Sequence, residues 1–225
     1  MREQSPQLSL SVVKVVVSVK MNDCDGNLSA MDSAVLTSLP TRLTLISHAV
    51  TQALRHAQFP VDESLLEGEK ERIASIRWPA PRSQHVLCGP EKRTRQTAEA
   101  LGLKATALPE LADIDYGSWK GQRIDDVQVS DPDGLSDWLT DPNAVPHGGD
   151  SLAQLIHRTK SWMKDLIGRG HTIAVTHPVV IRASLLCALE IPDQSFWRIE
   201  ISPLSMTDLR FNGQHWTIRS SGCSL

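Results

Sequence analysis

Two histidines, one arginine and two aspartates stand where they could share a reaction. His48 ends an apolar run at residues 41–47, and His177, followed by Pro178, ends another at residues 171–176. Arg93 falls in the first turn after Gly89-Pro90, and the loop Leu111-Ala112-Asp113-Ile114-Asp115-Tyr116-Gly117 adds two carboxylates. Phosphoryl transfer through a side chain needs a nucleophile, cationic or dipolar groups on the phosphoryl oxygens, and an acid for the leaving oxygen. A histidine serves as nucleophile when a backbone carbonyl fixes one ring nitrogen and the other is left to attack in line; His48 is the candidate. The guanidinium fork of Arg93 and the N–H groups of a helix start could hold an anion, and His177 could donate to the same oxygens. Asp113 or Asp115 would supply the proton. Each residue alone has a plainer reading, such as a satisfied strand-end histidine or a solvated arginine beside Lys92 and Arg95. The case rests on their joint placement.

The elements that must position them follow from pattern. Residues 41–47 (TRLTLIS) and 171–176 (HTIAVT) read as buried strands, and residues 85–88 (HVLC) as a third. Residues 91–101 read as a helix closed by Gly102, and residues 179–189 as a helix with Pro178 at its first position. Ser151 and Gln154 form a capping-box pattern, after which Leu152, Leu155, Ile156, Met163, Leu166 and Ile167 repeat at helical spacing to about Gly168. Residues 205–210 and 215–220 flank an Asn212-Gly213 turn signal and predict a closing antiparallel hairpin. Strands alternating with helices predict an α/β fold, a three-layer α/β/α sandwich with a mostly parallel central sheet. Ligands of such sheets bind beyond the strand C-termini, where His48, Gly89-Pro90 and His177 would meet.

These segments resemble the histidine phosphatase superfamily, which includes the phosphoglycerate mutases, and the resemblance covers roughly residues 42–219. Leu43-Thr44-Leu45-Ile46-Ser47-His48-Ala49 stands where the family has a strand running into Arg-His-Gly. Gly89-Pro90-Glu91-Lys92-Arg93-Thr94-Arg95-Gln96-Thr97 is similar to Ser-Pro-x-x-Arg-Ala-x-Gln-Thr. Asp113-Ile114-Asp115-Tyr116-Gly117-Ser118-Trp119-Lys120-Gly121 resembles Glu-Ile-Asp-Phe-Gly-x-Trp-x-Gly, and Gly149-Asp150-Ser151 resembles Gly-Glu-Ser. Thr176-His177-Pro178-Val179-Val180-Ile181-Arg182 is similar to Ser-His-Gly-Gly-x-x-Arg. The resemblance implies a phosphoglycerate mutase-like fold with His48 as nucleophile, His177 and Asp113 as its catalytic partners, and Arg93, Ser47 and Arg182 around the phosphate. It implies no cofactor and no metal. Ser47 replaces the first clamp arginine, Ala49 replaces the glycine, and both acidic positions are shortened from Glu to Asp. Losing that arginine removes charge-assisted hydrogen bonds worth about 1.5 to 3 kcal/mol each. It should also make the protonated form of His48 easier to populate. Arg55, Arg95 and Arg182 are the candidates to compensate.

The activity expected is hydrolysis of a small phosphomonoester through a phosphohistidine on His48. The alternatives are a catalytically weakened phosphate-binding protein of the same fold and a mutase-type phosphotransferase. A metal hydrolase is disfavoured, since neither an i, i+4 histidine pair nor a carboxylate cluster completes a coordination shell. A net charge of −3 and a pI near 6.2 offer no field for a polyanion, so nucleic acid is not an expected partner. Cys24, Cys88, Cys187 and Cys223 match no C-x-x-C pattern, which favours a reducing cytoplasm. The short apolar run at residues 8–20 is interrupted by Lys14 and too short to span a bilayer. Residues 1–40 therefore read as an extension, poorly ordered or preceding the true start, residues 41–220 as the domain and residues 221–225 as a tail. Asp150 reads as a helix N-terminal carboxylate, His147 as a solvent-facing loop histidine, the six tryptophans as core and pocket wall, and residues 119–146 as rim loops.

Overall fold

The computed structural model describes residues 39–225, so most of the expected extension lies outside the described residues. The chain runs β1 (Leu39–Ser47), α1 (Gln52–Arg55), α2 (Glu69–Ala74), β2 (His85–Cys88), α3 (Lys92–Ala100), β3 (Thr106–Ala107), α4 (Ile124–Ser130), α5 (Pro132–Thr140), α6 (Leu152–Asp165), β4 (Arg169–Thr176), α7 (Pro178–Leu189), β5 (Ser205–Phe211) and β6 (Trp216–Ser224). The sheet order is β3-β2-β4-β1-β5-β6. Its first four strands are parallel, and β5 and β6 add an antiparallel edge.

The period-2 alternation of β1 divides the core into two layers. Leu43 and Leu45 join one apolar cluster with residues of α6 and α7, whereas Ile46 joins Ala98 of α3, Ile173 and Val175 on the opposite face. Helices thus cover both faces, as the α/β reading requires. α3 follows β2 onto one face and α7 follows β4 onto the other, so the two helix starts flank the gap between adjacent strands. That gap is a topological switch point.

Local chemistry accounts for the helices that matter. Ser151 accepts from the Gln154 amide at 3.1 Å while the Gln154 side chain accepts from the Ser151 amide at 2.7 Å, completing the predicted capping box. The span of residues 119–146, expected to be loops, instead contains α4 and α5. Asp131 accepts from the Gly134 amide at 3.1 Å and Pro132 opens α5, and the helix is too short for its apolar spacing to have signalled it. The expected tail also belongs to the sheet, since bulges in β6 let Cys223 pair with Met206 and Ser224 with Ser205. At the other end β1 starts at Leu39, two residues before the expected boundary.

The loop carrying Asp113 is fixed by a close backbone crossing. The Asp150 amide donates to the Asp115 carbonyl at 2.8 Å, and the Ser118 amide donates to the His147 carbonyl at 2.9 Å. A Cβ on Gly149 would fall inside the Asp115 carbonyl. Gly149→Ala should therefore destabilise the fold by about 1 to 3 kcal/mol. Urea denaturation measures this, and an unchanged midpoint would contradict the tight crossing.

Candidate active site

His48 and His177 leave neighbouring parallel strands at the same level. Ser47 is in register with Thr176, and the His48 amide donates to the Thr176 carbonyl at 2.9 Å. The two rings meet edge to face with centroids 5.3 Å apart. His48 is 5% exposed. Its Nδ1 lies 2.7 Å from the Ala49 carbonyl, a partner that can only accept, so Nδ1 carries the hydrogen and Nε2 the lone pair. Nε2 makes no hydrogen bond among the described residues. Loss of the neighbouring arginine was expected to favour the protonated ring, but burial governs instead. It pushes the imidazole down to about 3, helped by positive charge on His177 and Arg93.

Arg93 is 2% exposed and arrives from the first turn of α3. Its Nη1 donates to the Val61 carbonyl at 2.8 Å and its Nη2 to Asp113 Oδ2 at 2.6 Å. The same Oδ2 lies 3.3 Å from His177 Nδ1 without forming a hydrogen bond. One anionic oxygen thus stands between the arginine and the second histidine. Arg93 Nε and His177 Nδ1 are buried without partners.

Two carboxylates escaped the sequence reading. Glu91 receives His177 Nε2 on Oε2 at 2.7 Å and the Asp113 amide on Oε1 at 3.0 Å. Burial would raise its pKa, but the bonds to His177 and the positive charge there prevail and hold it at about 2. Room for this contact comes from Gly89, where a Cβ would lie 2.9 Å from His177 Nε2 and 3.0 Å from Glu91 Oε2. Glu91 occupies a variable position of its motif, so spacing could not single it out. Glu63 places Oε2 3.9 Å from Arg93 Nη1, and both its oxygens lack hydrogen-bond partners. It lies in a stretch with no periodic signal.

The remaining candidates divide. His48, Arg93, Asp113 and Arg182 line one cleft of about 410 Å³, whereas Ser47 and the fully buried His177 stand behind its surface. The Ser47 hydroxyl is fully buried without a partner. Arg55 and Arg95 point to solvent, which leaves Arg182 of the three proposed compensators. Asp115 is exposed, pairs with Lys120 at 2.7 Å and accepts from the Gly117 amide. Asp150 accepts from the Asp115 amide at 3.2 Å rather than reaching the cleft. His147, expected to face solvent, is 3% exposed because its ring packs 5.0 Å from Trp119 and its Nδ1 accepts from the Gly149 amide. A second cleft of about 470 Å³, between α6, α7 and the terminal hairpin, contains none of the candidate residues.

The sequence model of the histidine phosphatase superfamily (branch 1) matches residues 43–224. The chain belongs to that superfamily. It is 27% identical to phosphoserine phosphatase 1 of Hydrogenobacter thermophilus over 168 residues, covering 69% of this chain and 80% of that protein. It is 26% identical to the adenosylcobalamin/alpha-ribazole phosphatase of Salmonella typhimurium over 174 residues, covering 71% and 85%. In fold it is similar to the alpha-ribazole phosphatase of Shigella flexneri, with a TM-score of 0.71, 21% identity and coverage of 80% and 96%. No helix among the described residues is long and apolar enough to cross a membrane.

Burial and the Ala49 carbonyl together predict that the His48 ring stays neutral, with hydrogen on Nδ1, from pH 8 down to pH 5. Nitrogen-detected imidazole NMR would show no titration near pH 6.5; a midpoint there would contradict the burial argument. The sign for stability follows. A depressed folded-state pKa makes the contribution of His48 complete above the unfolded value near 6.5, and it is lost as pH falls toward 3.

Proposed function

We propose that the protein hydrolyses a small phosphomonoester through a phosphohistidine on His48. The observation that carries this reading is the shared oxygen of Asp113, 2.6 Å from Arg93 Nη2 and 3.3 Å from His177 Nδ1. A phosphoryl oxygen placed there would meet a guanidinium and an imidazole at once, beside an uncapped nucleophilic nitrogen. The phosphatases among its relatives support the same class of reaction.

In the first step His48 Nε2 donates its lone pair to phosphorus as the bond to the leaving oxygen breaks. The hydrogen on Nδ1 stays donated to the Ala49 carbonyl, which disperses the charge that the ring acquires. Asp113, displaced from Arg93 by the phosphoryl oxygens, takes up the proton that a monoanionic phosphomonoester brings into the site and passes it to the leaving oxygen. Water then attacks the phosphoryl group, Asp113 takes a proton from that water, and phosphate departs from neutral His48. Arg93 and His177 hold the oxygens through both steps. We place the reaction in the reducing cytoplasm, consistent with free Cys88, Cys187 and Cys223.

A specific observation favours the second reading, a catalytically weakened phosphate-binding protein of the same fold. Glu63, Glu91 and Asp113 set three carboxylates around Arg93 and His177, and Ser47 contributes no charge to offset them. Transfer between two positions of a phosphoglycerate fits poorly, because the cleft beyond Asp113 is apolar.

His48→Ala should reduce hydrolysis of 4-nitrophenyl phosphate to background, and acid quenching of the wild-type protein during turnover should trap an acid-labile phosphoryl group on His48. Glu63→Gln should lower KM by removing negative charge beside Arg93. Undiminished turnover by His48→Ala would refute the mechanism, and a raised KM in Glu63→Gln would refute the charge argument.

A further inference from the structure

The cleft continues well past the phosphate end, and its far walls differ in kind from its floor. Phe59, Tyr116, Leu135, Trp138, Leu139 and Trp197 line it. α5 supplies Leu135, Trp138 and Leu139, which fall on one helical face at i, i+3 and i+4. The rings of Phe59 and Tyr116 are 5.2 Å apart and those of Trp138 and Trp197 4.6 Å apart. Walls of this kind cannot satisfy a leaving group rich in hydroxyls, which would lose its water without gaining partners. They suit a flat ring, which gains apolar burial and edge or offset contacts.

Among these walls stands one cation. Arg182, in the second turn of α7, donates Nε to the Ile199 carbonyl at 2.7 Å, and its guanidinium carbon lies 5.4 Å from the Trp197 ring and 5.7 Å from the Phe196 ring. Its terminal amino groups make no hydrogen bond, and it forms no ion pair with a carboxylate, among the described residues. A partly buried guanidinium without a counter-ion is costly unless a ligand brings one. Arg93, by contrast, already has Asp113 and Glu63.

Arg182 also stands apart from the nucleophile. His48, His177, Asp113 and Arg93 are linked in turn by a ring contact at 5.3 Å, an approach of 3.3 Å and an ion pair at 2.6 Å, whereas the guanidinium of Arg182 is held among Ile199, Trp197 and Phe196. A single guanidinium with no second cation matches a monoanion, and its planar fork matches a carboxylate.

Resting on the phosphatase reading above, we propose that the substrate is a phosphomonoester with an aromatic leaving group ending in a carboxylate, which Arg182 binds across the cleft from His48. Arg182 then sets specificity and takes no part in the transfer. The phosphate goes to Arg93 and His177, the ring lies against Tyr116, Trp138 and Trp197, and the carboxylate replaces the water on the terminal amino groups of Arg182.

The test compares 4-(carboxymethyl)phenyl phosphate with 4-(carbamoylmethyl)phenyl phosphate, in which the methylene keeps the two phenols nearly equal as leaving groups. Wild-type kcat/KM should favour the carboxylate by about tenfold or more, the ratio a charge-assisted bond sustains. Arg182→Met should abolish the preference by lowering the carboxylate ester far more than the amide ester, and Arg182→Lys should recover part of the preference. Glycerol phosphate should be turned over less efficiently than either. Equal wild-type rates would overturn the proposal. So would an equal loss for both esters in Arg182→Met and Arg182→Lys, which would mark Arg182 as a phosphate ligand or a structural residue. If no ester is hydrolysed, the phosphatase reading fails by itself. Calorimetry of the two esters on wild-type and Arg182→Met protein then decides the carboxylate site, with Arg182-dependent preference supporting it and equal affinity overturning it.

Discussion

A buried guanidinium must always have an anion, and in the unliganded site Asp113 is that anion. Arg93 is 2% exposed, held by the Val61 carbonyl on one side and by Asp113 at 2.6 Å on the other. Removing one partner from such a pair leaves an uncompensated charge at a cost of about 3 to 5 kcal/mol. The arginine can release Asp113 only to another anion that reaches the same place. In the proposed mechanism this exchange links binding to chemistry, because the phosphoryl group that takes Arg93 also releases Asp113 to carry a proton to the leaving oxygen.

The fold serves this exchange by rigidity. β1 and β4 are adjacent and in register, so the two histidines cannot separate without breaking the sheet. α3 and α7 begin on opposite faces, so Arg93 and His177 approach the gap from different layers. The backbone crossing at Gly117 and Gly149 supports the Asp113 loop from below. Glu91 ties these parts together, since its two oxygens hold the His177 ring and the Asp113 backbone at once.

Much of this was legible in the residues because the signals were local. Apolar runs ending at His48 and His177, the turn at Gly89-Pro90 and the Ser151 capping box each depend on a few neighbours in sequence, and the structure has them in place. The strand pattern of β5 and β6 and the Asn212-Gly213 turn were equally readable. What could not be read depends on distant partners. Glu63 and Glu91 matter because of where Arg93 and His177 lie, and nothing in their own neighbourhoods marks them. His147 is buried by aromatic side chains brought from elsewhere, and the residues after Ser220 stay in the sheet through bulges in β6. Sequence logic also weighted the missing arginine too heavily at His48, where desolvation outweighs any single charge.

Arg93 and His177 are proposed to converge on one phosphoryl oxygen as Asp113 gives way. A crystal structure with vanadate tests this most directly. The prediction is vanadium in line with His48 Nε2, vanadate oxygens within hydrogen-bond distance of both Arg93 and His177 Nδ1, and Asp113 moved off the guanidinium. Vanadate elsewhere, or bound with the Arg93–Asp113 pair still closed, would contradict it.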